Sequence, residues 1–197
     1  RDLIRVFNRF AVARAHIVGL SMGGRIAQEF TALFPDRVAT LTLADTHASF
    51  KDFPPETQRS FVSLRLKPLV EEGKTLADIA PRVARSLMGP NASETMVQRL
   101  IASVAKLHKE SYIKTVKSTV DFDRRDDLKS IKVPTLVLNG EHDKLTPPAM
   151  ARDLAAQIPG ARVEIIADAG HLINIEQPEM FNRLVLDFLL ANRDLAR

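Results

Sequence analysis

A glycine–serine turn between an apolar strand and a helix constrains this chain more than any other feature. Residues 19–23 read Gly-Leu-Ser-Met-Gly and fit the pattern G-x-S-x-G. The apolar run 16–20 predicts a strand before the turn, and the spacing of apolar residues over 23–33 predicts a helix directly after it. A turn of this kind holds its serine in a strained backbone conformation at the carboxyl edge of a sheet. We therefore predict that Ser21 is a nucleophile.

The neighbours of Ser21 have predicted roles of their own. Gly19 and Gly23 are small and are expected to make room for the close approach of the strand and the helix. Met22 follows Ser21 at the N-terminus of the predicted helix, so its backbone N–H is expected to face a developing oxyanion, where the helix dipole helps.

Strand and helix patterns alternate at both ends of the chain and predict an α/β fold with a mostly parallel sheet. A helix is expected over 2–14, before the first strand. Three further strands are expected over 38–44, 133–139 and 162–166. A helix is also expected after Pro147-Pro148, and a final helix after residue 177.

The middle of the chain has a different character. It contains Pro54-Pro55 and no convincing strand, and it predicts helical stretches at about 56–71, 75–87 and 93–120. We interpret residues 48–130 as a helical lid inserted into a core formed by 1–47 and 131–197.

A serine hydroxyl needs a base, and five histidines compete for that role. We favour His171, which follows the last predicted strand, because the order Ser…Asp/Glu…His is typical of this architecture. His47 follows the second strand and could line the pocket. His108 is expected within a helix, and the other two are His16 and His142.

The acid that orients the base is expected in the loop that follows the carboxyl end of a strand. Asp143 lies in such a loop, in a short turn that begins with Gly140, and we predict it to be the acid. Glu141 in the same turn and Asp45 after the second strand are the rivals. Asp168 is expected to stabilise its loop.

Composition excludes several classes of site. The chain has no cysteine, which excludes disulfides, thiolate metal sites and a cysteine nucleophile. No G-x-G-x-x-G spacing is present, so we expect no nucleotide or flavin cofactor and no metal. There is no apolar run of about 18 residues and no signal peptide, so no membrane partner is expected and a cytoplasmic location is predicted.

The net charge of +4 lies entirely in the middle segment. Residues 51–130 hold 15 Lys and Arg against 11 Asp and Glu. These charges are mixed and few aromatic residues accompany them, so we predict a solvated helical surface and no nucleic-acid partner. The surplus of positive charge in this segment would favour binding of a small anionic substrate.

Three sets of motifs resemble the α/β-hydrolase superfamily. They are 16–24, then 133–137 with 140–143, and 169–171 with 176–178. The chain looks most similar to 3-oxoadipate enol-lactonases, small carboxylesterases and cofactor-free perhydrolases. The resemblance implies an α/β-hydrolase fold and a Ser-His-Asp triad that cleaves carboxylic esters or lactones through an acyl-enzyme.

The N-terminal end of the chain departs from the family pattern. Family members carry further strands and a His-Gly loop upstream, and that loop supplies a second oxyanion donor. We therefore expect an N-terminally truncated chain with only the C-terminal strands, poorly soluble and nearly inactive alone. Loss of one such donor costs about 10²–10³ in rate.

Two other functions remain open. Hydrolases of carbon–carbon bonds and perhydrolases use the same triad. A non-catalytic receptor or scaffold on the hydrolase fold is the third hypothesis, because a fold alone does not fix an activity.

Overall fold

The computed structural model describes residues 2–196. The predicted core, 1–47 and 131–197, therefore has its first and last residues outside the described range. Within that range the fold is α/β, with four parallel strands in the order β1-β2-β3-β4. The strands are β1 Ala15–Leu20, β2 Val38–Ala44, β3 Thr135–Gly140 and β4 Arg162–Ile166.

The helices lie before, between and after these strands. They are α1 Asp2–Arg9, α2 Met22–Leu33, α3 Pro55–Val70, α4 Leu76–Leu87, α5 Glu94–Ala105, α6 Lys109–Val120, α7 Pro148–Gln157, α8 Ile173–Glu176 and α9 Pro178–Ala191. Over residues 2–196, none of them is long and apolar enough to cross a membrane.

Helices cover both faces of the sheet because its central strands are apolar on both sides. Val137 of β3 belongs to one buried cluster, together with residues of α1, α2 and α7. Its neighbours Leu136 and Leu138 point to the opposite face and belong to a second cluster, with α8 and α9. All of β2 is buried, whereas β1 lies at the edge of the described sheet and leaves Val18 43% exposed.

Helices α3–α6 pack mainly around a core of their own. Leu76, Ile79 and Val83 of α4 meet Val104 of α5 and Ile113 of α6 in a cluster separate from those of the sheet. The four helices connect β2 to β3, and because these strands are parallel the chain leaves at the carboxyl end of β2 and returns to the amino end of β3.

Two predicted helices have different ends in the structure. The stretch 93–120 is two helices, and His108 caps the second one, since its Nδ1 accepts a hydrogen bond from the Ser111 N–H at 3.3 Å. The prediction that His108 lies within a helix is therefore wrong. Both helices contribute apolar residues to the same core, so apolar spacing alone could not reveal the break.

The helix predicted over 2–14 ends at Arg9. Ala11 adopts a φ of 51°, and the Val12 N–H donates to the Phe7 carbonyl at 2.9 Å. This turn redirects the chain so that β1 can begin at Ala15.

Candidate active site

The turn between β1 and α2 holds Ser21 in a strained conformation. Its φ of 51° and ψ of −113° lie in a region that non-glycine residues rarely adopt. The Ser21 N–H donates to the Ala44 carbonyl at 2.8 Å, and the Thr46 hydroxyl donates to the Ser21 carbonyl, also at 2.8 Å. The end of β2 therefore fixes the backbone of this turn.

Close packing explains Gly19 but not Gly23. A Cβ on Gly19 would lie 2.3 Å from the Gly23 carbonyl oxygen. A Cβ on Gly24 would lie 2.6 Å from the Thr46 side chain, whereas a Cβ on Gly23 would meet no described atom within 4 Å. The prediction that Gly23 makes room for the strand is therefore wrong, and Gly24 is the second position where space is limiting.

The structure brings Ser21, His171 and Asp143 together although they lie far apart in the sequence. His171 Nε2 is 2.8 Å from Ser21 Oγ, and His171 Nδ1 is 2.7 Å from Asp143 Oδ2. An ionised carboxylate can only accept, so Nδ1 carries the proton and Nε2 is left to accept from the serine hydroxyl.

Asp143 is buried and held by several donors. Its Oδ1 accepts from the N–H groups of Leu145 at 2.8 Å and Thr146 at 3.0 Å, and its Oδ2 accepts from the Thr146 hydroxyl at 2.6 Å. Burial by itself would raise the pKa of Asp143, but the hydrogen bond and charge of His171, with the bonds from Thr146, lower it below the usual value. The carboxylate is therefore ionised at neutral pH.

The other histidines lie away from the Ser21 hydroxyl or form other contacts. His16 Nδ1 is 2.9 Å from the Thr40 hydroxyl, and His142 lies beside Glu141 in a partly exposed position. His47 is buried and lines the same cavity as Ser21 and His171. Burial, followed by the charge of Arg25, lowers the pKa of His47 to about 4, so its ring is neutral at pH 7.

The rival acids bind backbone groups instead of the imidazole. Asp45 accepts from the N–H groups of Gly140 at 2.9 Å and Ile173 at 3.4 Å. Glu141 accepts from the Asp168 N–H at 3.3 Å. Asp168 accepts from the Asn91 side chain at 2.9 Å and so ties its loop to the segment after α4.

The buried carboxyl of Asp45 predicts a pH-dependent stability. Burial is the main cause that raises its pKa to about 8, and the charges of Asp143 and Glu176 raise it further against the two N–H donors. The native state then keeps a proton that the unfolded chain releases near pH 4. Stability from this group is complete below pH 4 and is lost as the pH rises through 8, with a slope of up to about 1.4 kcal/mol per pH unit.

Urea unfolding at several pH values between 4 and 8 measures this slope. We expect Asp45→Asn to flatten it, because the amide has no proton to lose in this range. Glu141→Gln removes a more exposed carboxylate from the adjacent turn and should leave the slope unchanged. Equal slopes for the parent protein and Asp45→Asn would contradict the assignment to Asp45.

Glu176 links the histidine loop to the helical insertion. Its carboxylate accepts from the Gly170 N–H at 3.0 Å and from the Gly89 N–H, just after α4, at 2.7 Å. The His171 N–H donates to the Leu87 carbonyl at 2.8 Å. The sequence motif contained Glu176, but nothing in the sequence indicated that it bridges these two segments.

A cavity of about 40 Å³ adjoins the Ser21 hydroxyl and the His171 ring. Most of its wall is aromatic or apolar and comes from the insertion and the loop after β3; the lining residues are Ser21, Arg25, His47, Phe50, Phe53, Phe61, Thr119, Leu145, Thr146 and His171. Arg25 is not among the predicted site residues, although its position one helical turn after Ser21 places it on the same side of α2.

The structure also shows whether this site offers a free backbone donor and whether it could hold a metal ion. The Met22 N–H is the first of α2 and has no hydrogen-bond acceptor among residues 2–196. Within the same range, no group of three or more His, Asp or Glu side chains could hold a metal ion.

A sequence profile described as the alpha/beta hydrolase fold matches residues 2–178. The crystal structure of an enol-lactonase from Burkholderia xenovorans LB400 superimposes with a TM-score of 0.85 and 30% identity, covering 96% of this chain and 70% of that one.

Curated relatives include two different hydrolases. A 2-hydroxy-6-oxononadienedioate/2-hydroxy-6-oxononatrienedioate hydrolase from Burkholderia vietnamiensis is 30% identical over 96% of this chain and 67% of its own length. Carboxylesterase YbfK from Bacillus subtilis is 30% identical over 93% of this chain and 60% of its own length. The chain thus spans about two thirds or less of the length of these relatives.

Proposed function

The chain belongs to the alpha/beta hydrolase fold family, and on that premise we propose that it hydrolyses carboxylic esters or lactones with Ser21 as nucleophile, His171 as base and Asp143 as the orienting acid. A small-molecule substrate enters without a cofactor. The named activities of an enol-lactonase and a carboxylesterase among its relatives support this choice of bond.

One observation carries the proposal. An unbroken series of hydrogen bonds runs from the Ser21 hydroxyl through both ring nitrogens of His171 to a buried carboxylate, with distances of 2.8 and 2.7 Å. Each link has a chemical purpose, since a serine hydroxyl is a weak nucleophile until a base takes its proton. A carboxylate on the far nitrogen keeps the base in the tautomer that can do so.

In the first half of the reaction, Ser21 Oγ attacks the acyl carbonyl carbon while His171 Nε2 takes its proton. The Met22 N–H donates to the resulting oxyanion at the positive end of α2. The C–O bond to the leaving alcohol then breaks, and the proton on Nε2 passes to that oxygen. An ester of Ser21 remains.

In the second half, His171 Nε2 takes a proton from a water that attacks the acyl carbon. The bond to Ser21 Oγ breaks, and the proton returns to that oxygen. The products are the carboxylic acid and the regenerated triad, so atoms and charge balance over the cycle. Asp143 remains ionised throughout and stabilises the imidazolium.

Residues 48–130 act as the lid in this proposal. Phe50, Phe53, Phe61 and Thr119 from this segment line the cavity beside Ser21. The cavity of about 40 Å³ is far smaller than common ligand pockets of about 300–1,000 Å³. Substrate entry therefore requires the lid to move away from the triad, as lids do in many enzymes.

Cleavage of a carbon–carbon bond is the second candidate. The relative that acts on 2-hydroxy-6-oxononadienedioate is as similar to this chain as the esterase is. The same triad serves both reactions, so the choice depends on the substrate that the cavity admits.

A substrate panel on the full-length protein separates these functions. It contains p-nitrophenyl acetate, a simple enol-lactone, 2-hydroxy-6-oxononadienedioate, and acetate with hydrogen peroxide to detect peracid. We expect the largest kcat/KM for the ester or the lactone. A larger kcat/KM for the dienedioate would replace the proposal with carbon–carbon hydrolysis.

Labelling with a fluorophosphonate tests the nucleophile without assuming a substrate. Mass spectrometry should locate the label on the peptide that contains Ser21. If the folded protein is not labelled and hydrolyses no substrate of the panel, the result would support the receptor or scaffold hypothesis and contradict the enzymatic proposal.

A further inference from the structure

Arg25 is the one lysine or arginine among the described residues that line the cavity beside Ser21. It lies one turn into α2, four residues after the nucleophile, so both side chains lie on the same side of the helix. Arg25 also lines a groove of about 450 Å³ on the outer side of α2. It thus stands between the catalytic cavity and a larger space.

The charge of Arg25 has no acidic partner among residues 2–196. The ring centroid of Phe122 lies 5.8 Å from its guanidinium carbon. Glu29, one turn further along α2, would be the usual helical partner, but its carboxylate is bound by Arg124 through Nε at 2.6 Å. Burial lowers the pKa of Arg25, and no carboxylate raises it.

A second polar side chain, His47, lines the same cavity. His47 is 7% exposed, and its Nδ1 is a buried atom with no hydrogen-bond partner in the described chain. Buried polar atoms are almost always satisfied in folded proteins. The guanidinium of Arg25 lines this cavity without an anionic partner among the described residues, which indicates that an anionic ligand group completes it, and His47 is a further polar side chain of the same wall.

We propose that Arg25 binds a carboxylate of the substrate, with His47 as a second polar contact, so that the site favours acyl groups that carry an anion beyond the scissile carbonyl. This inference rests on the proposed hydrolytic function and narrows its substrate class. In this proposal, the positive charge that favours an anionic substrate is that of Arg25 on α2. It does not come from the surplus Lys and Arg residues of the lid.

The chemistry of arginine fits this role. The guanidinium presents a planar fork of donors that matches a carboxylate, and a charge-assisted pair is stronger when water is excluded. The aromatic rings of Phe50, Phe53 and Phe61 line the same cavity, and its volume of about 40 Å³ leaves little space for water. Arg25 is partly buried, so an anionic acyl group gains a charge-assisted partner that a neutral acyl group does not.

Two esters of equal acyl length test the inference. p-Nitrophenyl glutarate carries a free carboxylate, and p-nitrophenyl pentanoate does not. We expect Arg25→Gln to lower the ratio of their kcat/KM values by about 10- to 100-fold, because one charged hydrogen-bonded pair is lost. Arg25→Lys keeps the positive charge and should restore part of the ratio.

Arg65→Gln is the matched control. Arg65 is also partly buried, and its guanidinium lies 4.2 Å from the ring centroid of Phe61, a residue of the cavity wall. It does not line the cavity itself, and it bonds to Tyr112. Loss of this positive charge should leave the ratio at the parent value.

The outcomes separate this inference from the proposed function. An unchanged ratio in Arg25→Gln, with both esters still hydrolysed, overturns the role of Arg25 and leaves the hydrolase proposal intact. If the parent protein hydrolyses neither of these esters nor the ester and lactone of the panel, the hydrolase proposal fails, and calorimetric binding of glutarate decides the inference. Weaker binding to Arg25→Gln than to Arg65→Gln supports the anion site, and equal binding overturns it.

Discussion

Ser21→Ala should lower kcat for ester hydrolysis by about 10⁴-fold or more while the protein remains folded. The substitution removes the nucleophile and leaves the strained turn supported by the end of β2. Steady-state kinetics with p-nitrophenyl acetate measure the loss, and circular dichroism checks the fold.

Non-additivity makes this experiment specific for a triad. Once Ser21 is alanine, His171 has no proton to take, so the double variant Ser21→Ala/His171→Ala should be about as inactive as either single variant. Asp143→Asn should cost about 10⁴ in kcat, because the amide permits the wrong tautomer of His171. Ser103→Ala, at an exposed position of α5, is the serine control and should retain full activity. A Ser21→Ala protein with parent-like turnover would remove Ser21 from the mechanism.

Gly19→Ala should be the most destabilising of the single-methyl changes in the turn, by about 3 kcal/mol or more. The new Cβ would lie 2.3 Å from the carbonyl oxygen and 2.5 Å from the carbonyl carbon of Gly23, and both atoms belong to backbone that cannot rotate away. Strand β1 and helix α2 would have to separate. The same separation would displace Ser21, so activity should fall together with stability.

Gly23→Ala is a matched control, because the same methyl is added four residues later. Its Cβ would meet no described atom within 4 Å, and alanine favours a helix over glycine by up to about 1 kcal/mol. We expect this variant to be as stable as the parent protein or more so. The free energy of unfolding in urea measures both changes, and equal destabilisation by the two alanines would show that the packing argument is wrong.

These two predictions differ in how they could be reached. The role proposed for Ser21 could be predicted from the sequence, since a strand, a G-x-S-x-G turn and a helix are local patterns. The different tolerance of Gly19 and Gly23 does not follow from it. It depends on which backbone atoms of α2 lie against β1.

The sequence by itself determined the parallel α/β fold, the helices between the second and third strands, and the choice of Ser21, Asp143 and His171 as side chains that meet. It could do so because strand and helix periods, prolines and glycines are local signals, and parallel strands bring their carboxyl ends to one edge.

Only the tertiary structure decided which groups are paired. It showed that Glu176 joins Gly170 to Gly89, that Asp45 binds backbone N–H groups away from the imidazole, and that the acid which could neutralise Arg25 is bound by Arg124 instead. These contacts join segments that are far apart in the sequence. Arg124 and Glu29, for example, are separated by 95 residues. No local pattern encodes such pairings, because they depend on how separately formed elements pack against one another.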